Sequence, residues 1–346
     1  MFSLGKKNSI LGVDIGTLNI KIAQITHGAR PVLDTYGMVN SKYQIGIKAD
    51  TMSIASMAGI LKALVQKAGV TTKRCFISFP NSAVFTSVIS MPKMSERELA
   101  SAVEFEAKKY VPLALADVDL SWTIIADSLA GSKVAPQGQE SLKVLLTAVP
   151  KQITKNYMQV FSMAGLEPEV GEIEALALIR SLIGNSNNNC VIIDIGAKTT
   201  GINIIENGFL RLSRSLNIGG ETISNKIADG LHISPSRAEQ FKKDFGVSNS
   251  AFIPEAIKPV LNSIKSEVKQ LLAIYQTQQI KVEKILMVGG GSNLPGISGF
   301  FEDLNIKVEM GNPLASVSYP QDLEPVLKRY ALSLPVAIGL ALRKEK

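Results

Sequence analysis

The chain has 346 residues, a length that suits two domains, and 46% of them are hydrophobic, enough for a sizeable core. Lys and Arg number 37 against 30 Asp and Glu, a net charge of +7. The excess sits in residues 1–165, with 18 basic and 11 acidic side chains, whereas residues 166–346 hold 19 of each. No Lys/Arg-rich run accompanies it, so no nucleic-acid partner is expected. Two cysteines, Cys75 and Cys190, and two histidines, His27 and His232, are too few for a disulfide framework, a zinc cluster or a histidine metal centre. Both cysteines sit in apolar runs and read as small buried hydrophobes, which suits a reducing cytoplasm. Lys6 and Lys7 precede only a short apolar run, and no uncharged span of about 20 residues is present to cross a bilayer.

Strand and helix signals alternate throughout, which indicates an α/β fold. ILGVDIG (10–16) is a short buried strand, and KIAQITH (21–27) alternates as its antiparallel partner. Residues 51–68 place Ile54, Met57, Leu61, Leu64 and Val65 at helical spacing. CFISFP (75–80) and AVFTSVISMP (83–92) read as strands. Ser95 and Glu98 form a capping box opening a helix that runs to about Tyr110 and is closed by Pro112. Strands follow around Leu120–Ile125 and Leu142–Ala148, separated by the turn-rich GSKVAPQGQE, and a helix over 152–164 stops at Gly165. The polar GNSNNN (184–189) marks a boundary, with a second domain beginning near residue 190. Beyond it, Ile257, Leu261, Ile264, Val268, Leu271 and Tyr275 draw one face of a long amphipathic helix over 256–279.

An internal repeat carries the functional signal. GVDIGTLNIKIAQI (12–25) and IIDIGAKTTGINII (192–205) align with Asp14 on Asp194, 180 residues apart. Each is a buried strand, then Asp-Ile-Gly, a tight turn and an alternating strand. One Asp-x-Gly turn alone is an ordinary β-turn; two in successive halves point to paired phosphate hairpins. Glycine permits the sharp turn, and backbone N–H groups beyond it can face phosphate oxygens. Asp14 and Asp194 are placed to hold a hydrated Mg²⁺, which prefers oxygen ligands and keeps several waters. Lys21 can meet phosphate charge in the first hairpin, and Thr199 and Thr200 supply hydroxyls in the second. A third element, ILMVGGGSNLPGISGFFEDL (285–304), reads as a buried strand, a turn of Gly289, Gly290 and Gly291, and a helix opening near Pro295. Alone it could be a tight αβ connection, but glycine lets a ligand approach the backbone closely, and beside two phosphate hairpins it reads as the nucleoside end of a nucleotide cleft.

These motifs resemble the actin/Hsp70/sugar-kinase superfamily over nearly the whole chain. The resemblance implies an actin-like fold, two ribonuclease-H-like domains flanking a cleft that holds ATP and Mg²⁺. The first phosphate motif would be Asp14, Gly16, Thr17 and Lys21, and the second Asp194, Gly196, Thr199 and Thr200. Gly289 to Ser292 would form the adenosine motif, and Glu172–Leu182 and Pro335–Arg343 the helical connectors. The first domain would span 1–185 with an inserted subdomain at about 81–150. The second would span 190–334 with a helical subdomain at about 221–283, and 335–346 would return to the first.

Within that superfamily the sequence is similar to the PilM family of type IV pilus assembly. Residues 91–122 resemble its inserted subdomain. Residues 219–246, opening at Gly219 and Gly220, resemble the helix–turn–helix that the family shares with the division protein FtsA. By that similarity Glu239 and Lys242 face ribose and base. After LRKEK there is no counterpart of FtsA's linker and membrane-targeting helix, and no substrate lobe like that of sugar kinases, which favours PilM. The resemblance implies an ATP-binding scaffold on the cytoplasmic face of the inner membrane. It would bind the N-terminal cytoplasmic tail of PilN in a groove around 76–92 and the insert, and link it to the pilus motor ATPases of twitching motility. The basic first half would face the anionic membrane. The alternatives are an FtsA-like filament and an ATP-turnover enzyme. Turnover would need a water-positioning group, for which Glu174 and secondarily Glu172 are placed, unless both are solvated carboxylates at a helix N-terminus. Hydrolysis is expected to be weak or absent. His27 reads as a surface residue at a strand end, His232 as a loop residue and Trp122 as a packing anchor in the insert.

Overall fold

The computed structural model describes residues 8–127, 141–247, 253–276 and 281–344; the GSKVAPQGQE loop lies outside them. The first half opens with β1 (Ser9–Ile15), β2 (Asn19–Thr26), β3 (Val32–Asn40), α1 (Thr51–Lys67) and β4 (Arg74–Phe79). A 3₁₀ turn, Asn81–Ala83, leads into the inserted segment of β5 (Phe85–Pro92), α2 (Glu96–Tyr110), β6 (Val118–Asp127) and β7 (Ser141–Pro150). Then come α3 (Lys151–Ala164), β8 (Glu167–Ile173) and α4 (Glu174–Leu182). The second half holds β9 (Cys190–Ile195), β10 (Thr200–Glu206), β11 (Phe209–Leu216), α5 (Gly220–Leu231), α6 (Pro235–Phe245), α7 (Ile253–Gln276) and β12 (Lys284–Val288). It closes with α8 (Ile297–Phe300), β13 (Lys307–Met310), α9 (Glu324–Tyr330) and α10 (Pro335–Ala341).

The repeat in sequence is a repeat in topology. One five-stranded sheet has the order β3-β2-β1-β4-β8 and the other β11-β10-β9-β12-β13. In each, an antiparallel hairpin sits beside two parallel strands, and the Asp-bearing strand is central. Every residue of β1 is buried, as a strand covered on both faces requires. The two turns close identically: the Gly16 N–H donates to the Asn19 carbonyl at 2.9 Å and the Gly196 N–H to the Thr199 carbonyl at 2.9 Å.

The insert is a three-stranded antiparallel sheet, β5-β7-β6, under α2. Leu99, Val103 and Ala107 seat the helix on it, Trp122 packs against the same core, and the Ser95–Glu98 capping box forms. Gly165 ends α3 in the left-handed conformation, with φ 80°. All six periodic positions of α7 are buried. Both cysteines are buried. The segment after β12 differs from expectation: a 3₁₀ turn, Gly290–Asn293, precedes a helix of only four residues. Gly296, at φ 79°, keeps a longer helix from starting at Pro295.

α4 and α10 cross against the first sheet. A methyl group at Gly339 would lie 1.9 Å from the Ala177 carbonyl oxygen, and one at Gly12 would lie 1.9 Å from that of Ala337. Polar ties hold the crossing. His27 is half-buried rather than free at the surface, and its ring nitrogen meets the Ala341 carbonyl at 2.8 Å. Glu172 is buried and receives two hydrogen bonds from Arg180 (2.7 and 3.0 Å) and one from Arg343. Gly12→Ala or Gly339→Ala should therefore destabilise the fold by about 1–3 kcal/mol or more in denaturant titrations. Gly59→Ala, on the exposed face of α1 with open space around it, should instead stabilise by about 0.4–1 kcal/mol.

Candidate functional site

The hairpins bring four charged side chains together. Asp14 lies one residue before the end of β1 and pairs in register with Lys21 of β2. Its Oδ2 accepts from Lys21 Nζ at 2.8 Å and its Oδ1 from Ser78 Oγ at 3.1 Å. Burial pulls the Lys21 ammonium down, but the Asp14 carboxylate outweighs it and holds Lys21 above its ordinary value. Asp194 is pushed up to about 6, first by burial and further by Asp14, with Lys21 acting the other way. Glu174, the first residue of α4, is pushed up to about 8 by burial and then by Asp14 and Asp194. Its Oε2 accepts the Asn81 N–H at 3.1 Å, which partly offsets that rise.

Three carboxylates, Asp14 buried and Glu174 and Asp194 half-buried, thus share one ammonium. This donor set fits a hydrated divalent cation, whose charge would relieve the excess. Among the described residues no group of three or more His, Cys, Asp or Glu is arranged to ligate a metal. Asp14 and Asp194 would accordingly hold Mg²⁺ through its waters.

The glycine turn lies directly over the second hairpin. Gly289 has φ 84°, and a methyl group there would be 2.3 Å from Asp194 Oδ1; one at Gly291 would be 2.3 Å from Ile195 Cγ2. A cavity of about 480 Å³ opens between the halves, lined by Thr17, Gln44, Ser82, Lys198 and Thr199 together with residues at the start of α5. The N-terminus of α5 rests on the hairpin turn, since the Gly220 and Glu221 N–H groups donate to the Gly196 and Ala197 carbonyls at 3.0 and 2.8 Å. Gly219 leaves no room for a side chain, because a methyl group would meet Ala197 O at 2.6 Å.

Some expected contacts point elsewhere. Thr200 is fully buried and donates to the Ile218 carbonyl at 2.7 Å, so its hydroxyl anchors the approach to α5 and not the cavity. The Ser292 hydroxyl is buried against the Val288 carbonyl. Glu239 accepts from Ser224 at 2.6 Å and from Lys242, which also donates to the Gly220 carbonyl at 3.0 Å. Burial opposes ionisation of Glu239, but these hydrogen bonds prevail and hold it below its ordinary value. The pair therefore couples α6 to the start of α5. Neither Glu172 nor Glu174 is a solvated helix-end carboxylate: the first is locked by two arginines, and the second is half-buried beside Asp14, Lys21 and Asp194 and accepts from the Asn81 N–H. No sequence motif marks Ser78, Asn81 or Ser82. Their only sequence signal is a serine in an apolar strand just before Pro80.

The raised carboxylates set a pH dependence. Folded Glu174 keeps its proton to about pH 8, whereas the unfolded chain releases it near 4.5. Between those values the folded state binds more protons, so stability falls as pH rises. Glu174→Gln should thus melt above wild type at pH 9 and close to it at pH 5, as thermal scans across that range will read.

Comparison with known proteins agrees with the fold. The family model for type IV pilus assembly protein PilM matches residues 12–345. The solved PilM–PilN type IV pilus biogenesis complex superposes with a TM-score of 0.84 at 25% identity, covering 96% of this chain and 98% of that one. Cell division protein FtsA of Streptococcus pneumoniae is 24% identical over 336 residues, covering 85% of this chain and 73% of FtsA. MreB5 of Spiroplasma citri, solved bound to AMPPNP, shares the fold with a TM-score of 0.53 at 14% identity, over 93% of this chain and 98% of that one. The fold is actin-like, and the chain belongs to the PilM family of type IV pilus assembly proteins.

Proposed function

We propose that the protein is an adenine-nucleotide-binding scaffold that captures the N-terminal cytoplasmic tail of a PilN-like inner-membrane protein. The observation that carries the nucleotide reading is the cluster of Asp14, Lys21, Glu174 and Asp194 where two equivalent hairpins converge on a glycine turn. Lys21, steered by Asp14, meets phosphate charge. Thr17 and Thr199, both lining the cavity, offer hydroxyls and turn backbone to phosphate oxygens. Gly289 to Gly291 let the nucleoside approach the backbone, and Lys242, with Glu239, frames its far side. Mg²⁺, when bound, neutralises phosphate charge. Glu174, raised by burial and by Asp14 and Asp194, stands beside the place where phosphate charge and Mg²⁺ would sit, and we read it as the group that any turnover would use.

The tail reading is supported by the likeness to the PilM–PilN complex, one chain of which is matched over 98% of its length. We read residues 1–185 as a first domain carrying the insert at about 81–150. Residues 190–334 form a second, with a helical part at about 221–283, and 335–346 return to the first. The β4–β5 junction and insert then face the tail. Among the described residues no helix is long and apolar enough to cross a membrane, which suits a protein held at the inner membrane by its partner. From there it would connect to the motor ATPases.

Two measurements test the reading. In calorimetry with AMPPNP and MgCl₂, Lys21→Ala and Asp194→Ala should each weaken binding by roughly tenfold or more, about 1.4 kcal/mol. Peptides from the N-terminal tails of inner-membrane pilus proteins should be retained by the immobilised chain; failure of every such tail, with or without nucleotide, would sink the scaffold role. Phosphate release above background at saturating ATP and Mg²⁺ would favour turnover instead.

A further inference from the structure

The root of the insert is also a wall of the cleft. Between β4 and β5 the chain makes only the turn Asn81–Ala83. That stretch is tied to the charged cluster at two points, through Ser78 Oγ to Asp14 and through the Asn81 N–H to Glu174. The Asn81 carboxamide lies over the second hairpin: a methyl group on Gly201, the register partner of Asp194, would sit 3.4 Å from Asn81 Nδ2. Its Oδ1 is buried and accepts no hydrogen bond. Ser82, next in the chain, lines the cavity. On the far side, the turn and strands β5 and β6 lie against β11 of the second sheet.

We infer that Asn81 is a positioning residue that couples occupancy of the cleft to the orientation of the inserted sheet. The inference rests on the nucleotide reading above. A buried acceptor without a donor is an unfavourable arrangement that an arriving donor relieves. Water carried in beside Glu174 and Asp194 supplies such a donor at the point where the chain leaves the core. Because the Asn81 backbone is held by Glu174 of α4 while its carboxamide lies over Gly201 of the second hairpin, satisfying it shifts the turn relative to Gly201. β5 begins at Phe85, two residues beyond the end of the turn at Ala83, and the packed sheet follows as one body. Occupancy in one site then biases a surface in another through a single short segment.

The chain contains one tryptophan, Trp122, and it lies in the insert, so its emission reports on that sheet alone. The experiment titrates AMPPNP with MgCl₂ into the full chain while following Trp122 fluorescence, with calorimetry in parallel. Wild type should bind and show a Trp122 shift. Asn81→Ala should bind nucleotide yet lose more than half of that shift, and Asn81→Ser, checked for folding beside it, should do the same. Binding by wild type with no Trp122 change overturns the coupling. So does an undiminished shift in a folded variant, or loss of nucleotide binding in both, which would make Asn81 a ligand contact. Absence of calorimetric binding to wild type fails the nucleotide reading instead, and the two failures are read on different instruments.

Discussion

At Gly12 and Gly339 the backbone of α10 lies against β1 on one side and α4 on the other, at a separation that excludes even a methyl group. Such contacts leave little freedom to slide, because a close-packed interior transmits displacement instead of absorbing it. The polar ties around the crossing are arranged to match. Glu172 is buried but is satisfied by two arginines, one from α4 and one just beyond α10, so its charge is compensated where it would otherwise destabilise the core. The halves therefore meet through a rigid crossing, and the cleft opens beside it.

The two sheets are alike, yet the site they build is not symmetric. Opposite Asp14 the ladder presents Lys21; opposite Asp194 it presents Gly201. This one difference leaves three carboxylates with a single ammonium, and burial first, then their mutual repulsion, raises both Asp194 and Glu174. The free cleft is held in an electrostatically unfavourable arrangement by the packing around it, as sites that recognise charged ligands commonly are. The Asn81 side chain lies over the glycine opposite Asp194, so the insert's root meets the cleft on its asymmetric side.

Much of this was legible in the residues. The 3.6-residue period of α7, the Ser95–Glu98 cap and the Asp-Ile-Gly repeat rest on local rules, and the structure follows them. What could not be read was side-chain direction. Thr200 and Ser292 belong to sound motifs, but their hydroxyls turn toward carbonyls that only the tertiary fold brings near. Glu172 and Glu174 are two residues apart, and no local rule says that one meets Arg343 while the other meets Asn81. The short α8 differs for another reason: Gly296 overrides a pattern that otherwise reads as helix.

The closing of the first sheet by α10 also orders events during synthesis. His27 and Ala341, joined in the folded protein, are 314 residues apart in the chain. Strands β9 to β13 are contiguous and can assemble as they emerge from the ribosome, whereas β1 has one face uncovered until α10 has been made. Domains usually fold in the order of their appearance. Here α10, made last, covers β1 of the half that is translated first, and Val336 and Leu340 also join the core formed by Ile192 and Leu286 of the other half.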